Sequence, residues 1–211
     1  NSAFAFSAMV TGRFNGVAAD GNIGSTWSQH DSLRNWYVVA SDSSGVNLVA
    51  GVSGGYLYTS TDSGATWTQR GTSADWRCLA SSSDGSKLVA AVNGGYIYTS
   101  ANSGATWTQR DTTRDWSSVA SSADGTKLVA VEKRGKIYTS TDSGATWTPK
   151  ATTQNWRGVA MSSDGTKQVA VVYGDRIYVS SDSGATWAAT GPYSSWMHVA
   201  MSADGSIIAA V

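Results

Sequence analysis

Along residues 76–110 the apolar positions fall in short runs, Trp76 to Ala80, Leu88 to Val92, Tyr96 to Tyr98 and a last one around Trp107. Asp84-Gly85, Asn93-Gly94-Gly95 and Ala101 to Ala105 divide them. Short runs of β-branched and aromatic residues, bounded by Gly, Asn and Asp, predict strands joined by tight turns rather than helices. The first run sets Leu79 beside Ala80, and Val39-Ala40, Val119-Ala120, Val159-Ala160 and Val199-Ala200 do the same. A strand apolar on both faces is expected to be buried on both, which makes this run the innermost of its unit. The last run sets Trp107 among polar neighbours, as an outer strand covering one face would.

The pattern recurs every 40 residues. Trp36, Trp76, Trp116, Trp156 and Trp196 form one series, and Trp27, Trp67, Trp107, Trp147 and Trp187 form a second, which together account for all ten tryptophans. A four-stranded unit of this length cannot bury its faces alone, so copies must stack radially or in a line. Unit length and the lack of polar capping repeats favour the ring. The expected fold class is therefore all-β: a five-bladed β-propeller of four-stranded antiparallel blades, one domain over residues 1–211. Shifted by 200, Ser2-Ala3 aligns with Ser202-Ala203, and Ala8-Met9-Val10 falls near Ile208-Ala209-Ala210. A second strand is thus encoded at both ends. The closing blade is expected to take its inner strand from Trp196 onward and its outer strands from Gly16 to Gln29. The spare strand is left to lie on an edge, to pair with a second molecule, or to mark a cut from a longer array.

Composition narrows the partners. Lys plus Arg (15) equals Asp plus Glu (15), and the charges are scattered, so no basic patch points to nucleic acid. No apolar stretch is long enough for a spanning helix, and Asn1 to Val10 lacks a basic leader, so membrane insertion is not expected. One cysteine, Cys78, allows no intrachain disulfide and reads as a small buried residue. His30 and His198, without a carboxylate cluster, do not suggest zinc, and no metal or cofactor is expected.

Between the third and fourth runs stands Ser60-Thr61-Asp62-Ser63-Gly64-Ala65-Thr66-Trp67, repeated at Ser140 to Trp147 and Ser180 to Trp187. Asn102 replaces the aspartate at Ser100 to Trp107, and the motif decays at Asp20 to Trp27. It resembles the Asp-box (BNR repeat) of sialidase-type propellers, Ser-x-Asp-x-Gly-x-Thr-Trp. The residues themselves read as structural: Asp62, Asn102, Asp142 and Asp182 accept backbone N–H groups, Gly64 supplies a positive φ, and Trp67, Trp107, Trp147 and Trp187 pack back on the blade. One carboxylate per turn falls short of a calcium shell.

A sialidase, as the resemblance implies, needs an arginine triad, a Tyr nucleophile with a Glu partner, and an Asp acid/base. The single glutamate, Glu132, sits in a turn-like Glu132-Lys133-Arg134-Gly135 and reads as a solvated loop charge, while the aspartates mostly recur in turns. Paired-carboxylate chemistry needs two unlike environments. The expectation is that the chain is not an enzyme.

In a propeller the turns after the first and third strands share one rim. The other rim then carries the segments ahead of Trp36, Trp76, Trp116, Trp156 and Trp196. There Asn35, Asp75, Asp115, Asn155 or Ser195 precedes each Trp, and Arg70, Arg110 and Lys150 end the fourth strand, with His30 and Thr190 in the outer copies. An aromatic plate, a short acceptor and a cation suit a neutral sugar. The design looks like that of five-bladed propeller lectins, and the leading expectation is a multivalent, secreted, glycan-binding lectin. Two alternatives stand beside it. Each Trp could simply plug the groove between blades, with Arg70 paired to Asp75 on the rim, or the chain could be a structural or protein-interaction propeller with a protein partner on one rim. Monomer or weak homodimer is expected. Tyr37, Arg77, Ser117, Arg157 and Met197, which follow each Trp, differ between copies and are expected to face the central channel with no shared role.

Overall fold

The computed structural model describes residues 8–9, 29–31 and 33–211, and those residues are all-β. β1 (Ala8–Met9) precedes a first complete unit, β2 (Trp36–Ser41), β3 (Leu48–Val52), β4 (Gly55–Ser60) and β5 (Thr68–Ala74). The second unit is β6 (Trp76–Ser81), β7 (Leu88–Val92), β8 (Gly95–Ser100) and β9 (Thr108–Arg114). β10 (Trp116–Ser121), β11 (Leu128–Ser140), β12 (Thr148–Met161), β13 (Gln168–Ser180) and β14 (Ala188–Ser195) make the third and fourth. β15 (Val199–Met201) and β16 (Ile208–Ala210) begin a fifth.

Each unit is an antiparallel meander in chain order. β12 is long because the outer strand of the third unit runs straight on into the inner strand of the fourth. The turns at Gly54, Gly94 and Gly174 have positive φ (66°, 62° and 80°), and Arg134 takes the same conformation at 59° in the third copy. The inner strands of the four complete units carry a register shift just after the tryptophan, at Trp36/Val38, Trp76/Cys78, Trp116/Ser118 and Trp156/Gly158. This bulge re-aims the residue that follows each Trp.

The inner strands of the four complete units, together with β15, line one shared channel through Ala40, Ala80, Ala120, Ala160 and Ala200. Adjacent units are tied there by a chain of backbone bonds, Ser43 N–H to Ser83 O, Ser83 to Ala123, Ala123 to Ser163 and Ser163 to Ala203, at 2.7–2.9 Å. Lys87, Lys127 and Lys167 each donate to a backbone oxygen of the next unit, at Asp124, Asp164 and Asp204.

The core lies in the seams between units. Val38, Val49 and Leu57 of the first unit pack with Trp76, Leu79 and Leu88 of the second, and the next two seams repeat the arrangement. The strand buried on both faces is the second, not the first: Val129, Ala130 and Val131 are sealed, as are Val169, Ala170 and Val171. The first strand gives up its alanine face to the channel. The fourth strand is the exposed outer one, as its polar pattern predicts.

The expected five-bladed ring is met in part: the described residues contain four complete four-stranded units and two strands of a fifth. The closing strands expected from Gly16 to Gln29 lie, Gln29 apart, outside the described residues, as does the decayed motif at Asp20 to Trp27. Of the spare strand, Ala8 and Met9 pair with Val39 and Val38, on the edge of β2 opposite β3.

Candidate binding rim and channel mouth

On one rim each Ser-x-Asp-x-Gly-x-Thr-Trp segment closes on itself. Ser60 Oγ donates to Asp62 (2.7 Å) and accepts the Gly64 N–H, while Asp62 accepts the Thr66 N–H (2.9 Å) and hydroxyl (2.6 Å). The copies at Asp142 and Asp182 repeat these bonds, and Asn102 keeps the fold of the turn by donating to Thr106 instead. Ser63 shares the left-handed conformation with Gly64 (φ 57° and 85°). The Thr66 donors hold the Asp62 carboxyl down at about 2, and Asp142 and Asp182 are lowered to the same range. With every carboxylate oxygen engaged inside its own turn, this rim is a set of structural clasps.

The opposite rim carries the expected sugar corners, and the three groups of a corner do not converge. Trp76, Trp116 and Trp156 are at most 1% exposed and Trp36 is buried as well. Each meets a tyrosine of its own unit edge-on (Tyr58, Tyr98, Tyr138 and Tyr178, 5.0–5.3 Å between rings), and the first three also meet Trp67, Trp107 and Trp147. Trp76 and Trp116 donate to Gly55 O and Gly95 O of the preceding unit at 3.0 Å. These rings plug the seams and offer no face to a sugar. Trp196, in the incomplete unit, is half-buried and donates to Pro192 O.

Asp75 sits on the rim but bridges two units, accepting from Ser53 Oγ (2.9 Å) and Asn93 Nδ2 (3.1 Å). Asn35 and Asp115 are exposed there, and Asn155 is half-buried with its Oδ1 unpartnered. Arg70 and Arg110 donate to Thr59 and Thr99 within their own blades at 3.0 Å, and Lys150 occupies the same place in the third unit. The expected Arg70–Asp75 ion pair is absent from the ion pairs among the described residues.

Two other clusters occupy this rim. Arg34 stacks on Tyr58 (4.4 Å) and pairs with Asp31 (3.2 Å), and 80 residues later Arg114 stacks on Tyr138 (4.3 Å) and pairs with Asp111 (3.2 Å). Glu132 belongs to the second cluster, which corrects its reading as a solvated loop charge: Tyr138 donates to it at 3.0 Å and Arg114 lies 3.9 Å away. A Cβ on Gly135 would stand 2.2 Å from that carboxylate, so glycine there makes the room. Burial first, and then donation to Glu132, raise the Tyr138 hydroxyl to about 12. The repeated Asp-x-x-Arg was the readable signal for these clusters.

Inside this rim the channel opens on a small mouth of about 50 Å³ lined by Arg77, Ser117, Ser118, Arg157, Met197 and His198, among others. The bulges at Trp76, Trp116 and Trp156 account for Arg77, Ser117 and Arg157 in this lining, because each re-aims the residue after its Trp. Arg77 donates to Tyr37 and stacks on its ring at 5.0 Å, and Arg157 stacks on Tyr173 at 5.3 Å. Farther in, toward the clasp rim, the channel is apolar apart from hydroxyls, with a volume of about 100 Å³.

No protein-family model matches the chain, and no curated protein is similar enough in sequence to match. Solved structures do match. The GH74 enzyme of Niastella koreensis aligns with 94% of this chain and 32% of its own at 18% identity, TM-score 0.69. A GH74 xyloglucanase from Xanthomonas campestris aligns with 82% of this chain and 36% of its own at 14% identity, TM-score 0.63. YCF48 bound to D1 peptide aligns with 74% of this chain and 54% of its own at 18% identity, TM-score 0.53. The chain thus spans about a third of the GH74 structures. At such identities the likeness carries the fold, a β-propeller built of repeated four-stranded blades. It also corrects the expectation that the chain is not an enzyme. Glycoside hydrolases stand among the structures sharing this fold, so scarce glutamate and turn-bound aspartates do not exclude catalysis.

Proposed function

We propose that this chain is a partner-binding propeller, in which an extended protein segment docks across the rim that holds the starts of the inner strands. One observation carries the reading: Trp36, Trp76, Trp116 and Trp156, which recur every 40 residues, are buried, with Trp76 and Trp116 bonded across the seams, whereas the large exposed side chains on this rim, Tyr173 and Tyr193, stand where the other copies have Ser53, Asn93 and Lys133, and Ser73, Thr113 and Thr153. Equivalent repeated sites would need the reverse. The exposed set is rich in tyrosine and arginine, with Tyr173 48% and Tyr193 67% exposed and Arg176 stacked on Tyr193 at 4.8 Å. These are residue types that carry much of the binding energy at protein interfaces. YCF48, a neighbour in fold, is known with a D1 peptide bound.

Selection of peptides on the intact chain, followed by calorimetry, tests the reading. One peptide per chain is expected, with affinity lost on Tyr173→Ala and Tyr193→Ala together. Peptide binding indifferent to both changes would sink it.

Among the described residues a glycan reading survives at the corner where Tyr193 stands exposed near the half-buried Trp196 and Asp175 accepts from Tyr178 at 3.0 Å. Several equivalent sugars per chain on a glycan titration would restore the multivalent lectin in place of the peptide reading. We also propose the five-bladed ring over residues 1–211, supported by the 200-residue correspondence of the two ends. Small-angle scattering with the dimensions of an open array would count against it.

A further inference from the structure

We infer that the channel mouth is an oxoanion site, formed by Arg77 and Arg157, that takes a single carboxylate, phosphate or sulfate group. It does not depend on the docking proposal, because a free ion should bind even if no macromolecule does.

The argument begins with the bulges. They turn side chains from non-adjacent units into one small space, and two of those side chains are guanidiniums. Among the described residues no carboxylate lines that space. All three ion pairs among the described residues use Arg34 or Arg114, so neither Arg77 nor Arg157 has a charge partner there. Two like charges lining one space with no carboxylate in direct contact are unfavourable, and an anion bound there relieves the repulsion.

Donor capacity points the same way. A guanidinium carries five N–H donors and no acceptor. The Arg157 Nε–H is buried with no hydrogen-bond partner, and buried donors are almost always paired. Stacking on Tyr37 and Tyr173 braces the two guanidinium planes and leaves in-plane donors for an acceptor. Ser118 accepts the Val159 N–H at 3.3 Å, which leaves its own hydroxyl proton to donate.

Size sets the ligand class. A mouth of about 50 Å³, half the volume of the apolar space farther in, suits a compact headgroup rather than an extended ligand. A planar fork of N–H groups matches the two oxygens of a carboxylate or phosphate better than it matches a halide.

Titration of the full chain with acetate, and separately with inorganic phosphate, while following the arginine side-chain N–H signals by NMR, tests the inference. The Arg157 Nε–H signal should shift and saturate, and the tighter of the two ions identifies the preferred headgroup. Arg77→Gln and Arg157→Gln should each weaken binding about tenfold, the order expected for a lost charge-assisted bond. Met197→Asp leaves both arginines in place, alters an exposed side chain and sets a carboxylate at the mouth, so it should block the ion while preserving the fold. Arg70→Gln, on the outer strand, should change nothing. A signal that drifts without saturating would overturn the inference, as would Met197→Asp or the double arginine variant titrating like the parent.

Discussion

The indole N–H of Trp76 donates to the carbonyl of Gly55 at 3.0 Å, across the seam from the second unit to the first, and Trp116 does the same to Gly95 forty residues on. A bond to backbone of the neighbouring unit, from a ring buried in the seam, makes each tryptophan a rivet between blades.

Trp116→Ala should therefore destabilise the fold by about 3–5 kcal/mol, the usual cost of emptying a large aromatic site. Trp156 lacks the seam bond, its Nε1 having no partner. Trp116→Phe should accordingly cost about 1 kcal/mol more than Trp156→Phe. Chemical denaturation of the two variants measures the difference, and equal losses would remove the seam bond from the account.

Gln168 is fully buried where the second and third units place Leu88 and Leu128, and its Oε1 has no partner. Its amide keeps one bond, to Gly165 O at 3.2 Å. Gln168→Leu should raise stability by about 1 kcal/mol, because a buried unpaired polar atom costs more than one weak bond returns. A lower thermal midpoint for the variant would mean that the bond to Gly165 matters more than the orphaned oxygen.

Arg134 and Ala151 hold φ of 59° and 56° at positions where other units use glycine, Gly54, Gly94 and Gly174 for the first and Gly71 and Gly191 for the second. The left-handed region strains residues with a Cβ by about 1 kcal/mol. Arg134→Gly and Ala151→Gly should each stabilise by several tenths of a kcal/mol after glycine's extra unfolded freedom is subtracted. Asp111, also left-handed at 53°, should not gain from the same change, since its carboxylate pairs with Arg114.

Acid should loosen the clasp rim. Asp62, Asp142 and Asp182 sit at about 2 in the folded chain because Thr hydroxyl and backbone donors favour the charged form. Unfolded aspartate titrates near 4. A depressed folded value means that this stabilisation is present above pH ~4 and is lost as pH falls through ~2. The thermal midpoint should drop across that window. The triple change Asp62→Asn, Asp142→Asn, Asp182→Asn, which copies Asn102 of the second unit, should flatten the drop. An unaltered slope would place the acid sensitivity in other carboxylates, such as Asp84, Asp124 and Asp164, which are lowered to about 2 in their own turns.

Strands, turns and the 40-residue unit were legible from the chain alone because each follows from local rules: runs of β-formers, glycines where φ must be positive, and Ser and Asp spaced to close a turn on themselves. The copies must also stack, since none can bury its own faces. Which side of a strand meets a neighbour is a matter of packing between residues forty apart. Only the assembled units sent Trp76 into the seam instead of onto the surface, bound Asp75 between blades, drew Glu132 to Tyr138 and Arg114, and set Arg77 and Arg157 on one channel mouth. The bulge that aims them is a backbone register shift, and no single residue type announces one.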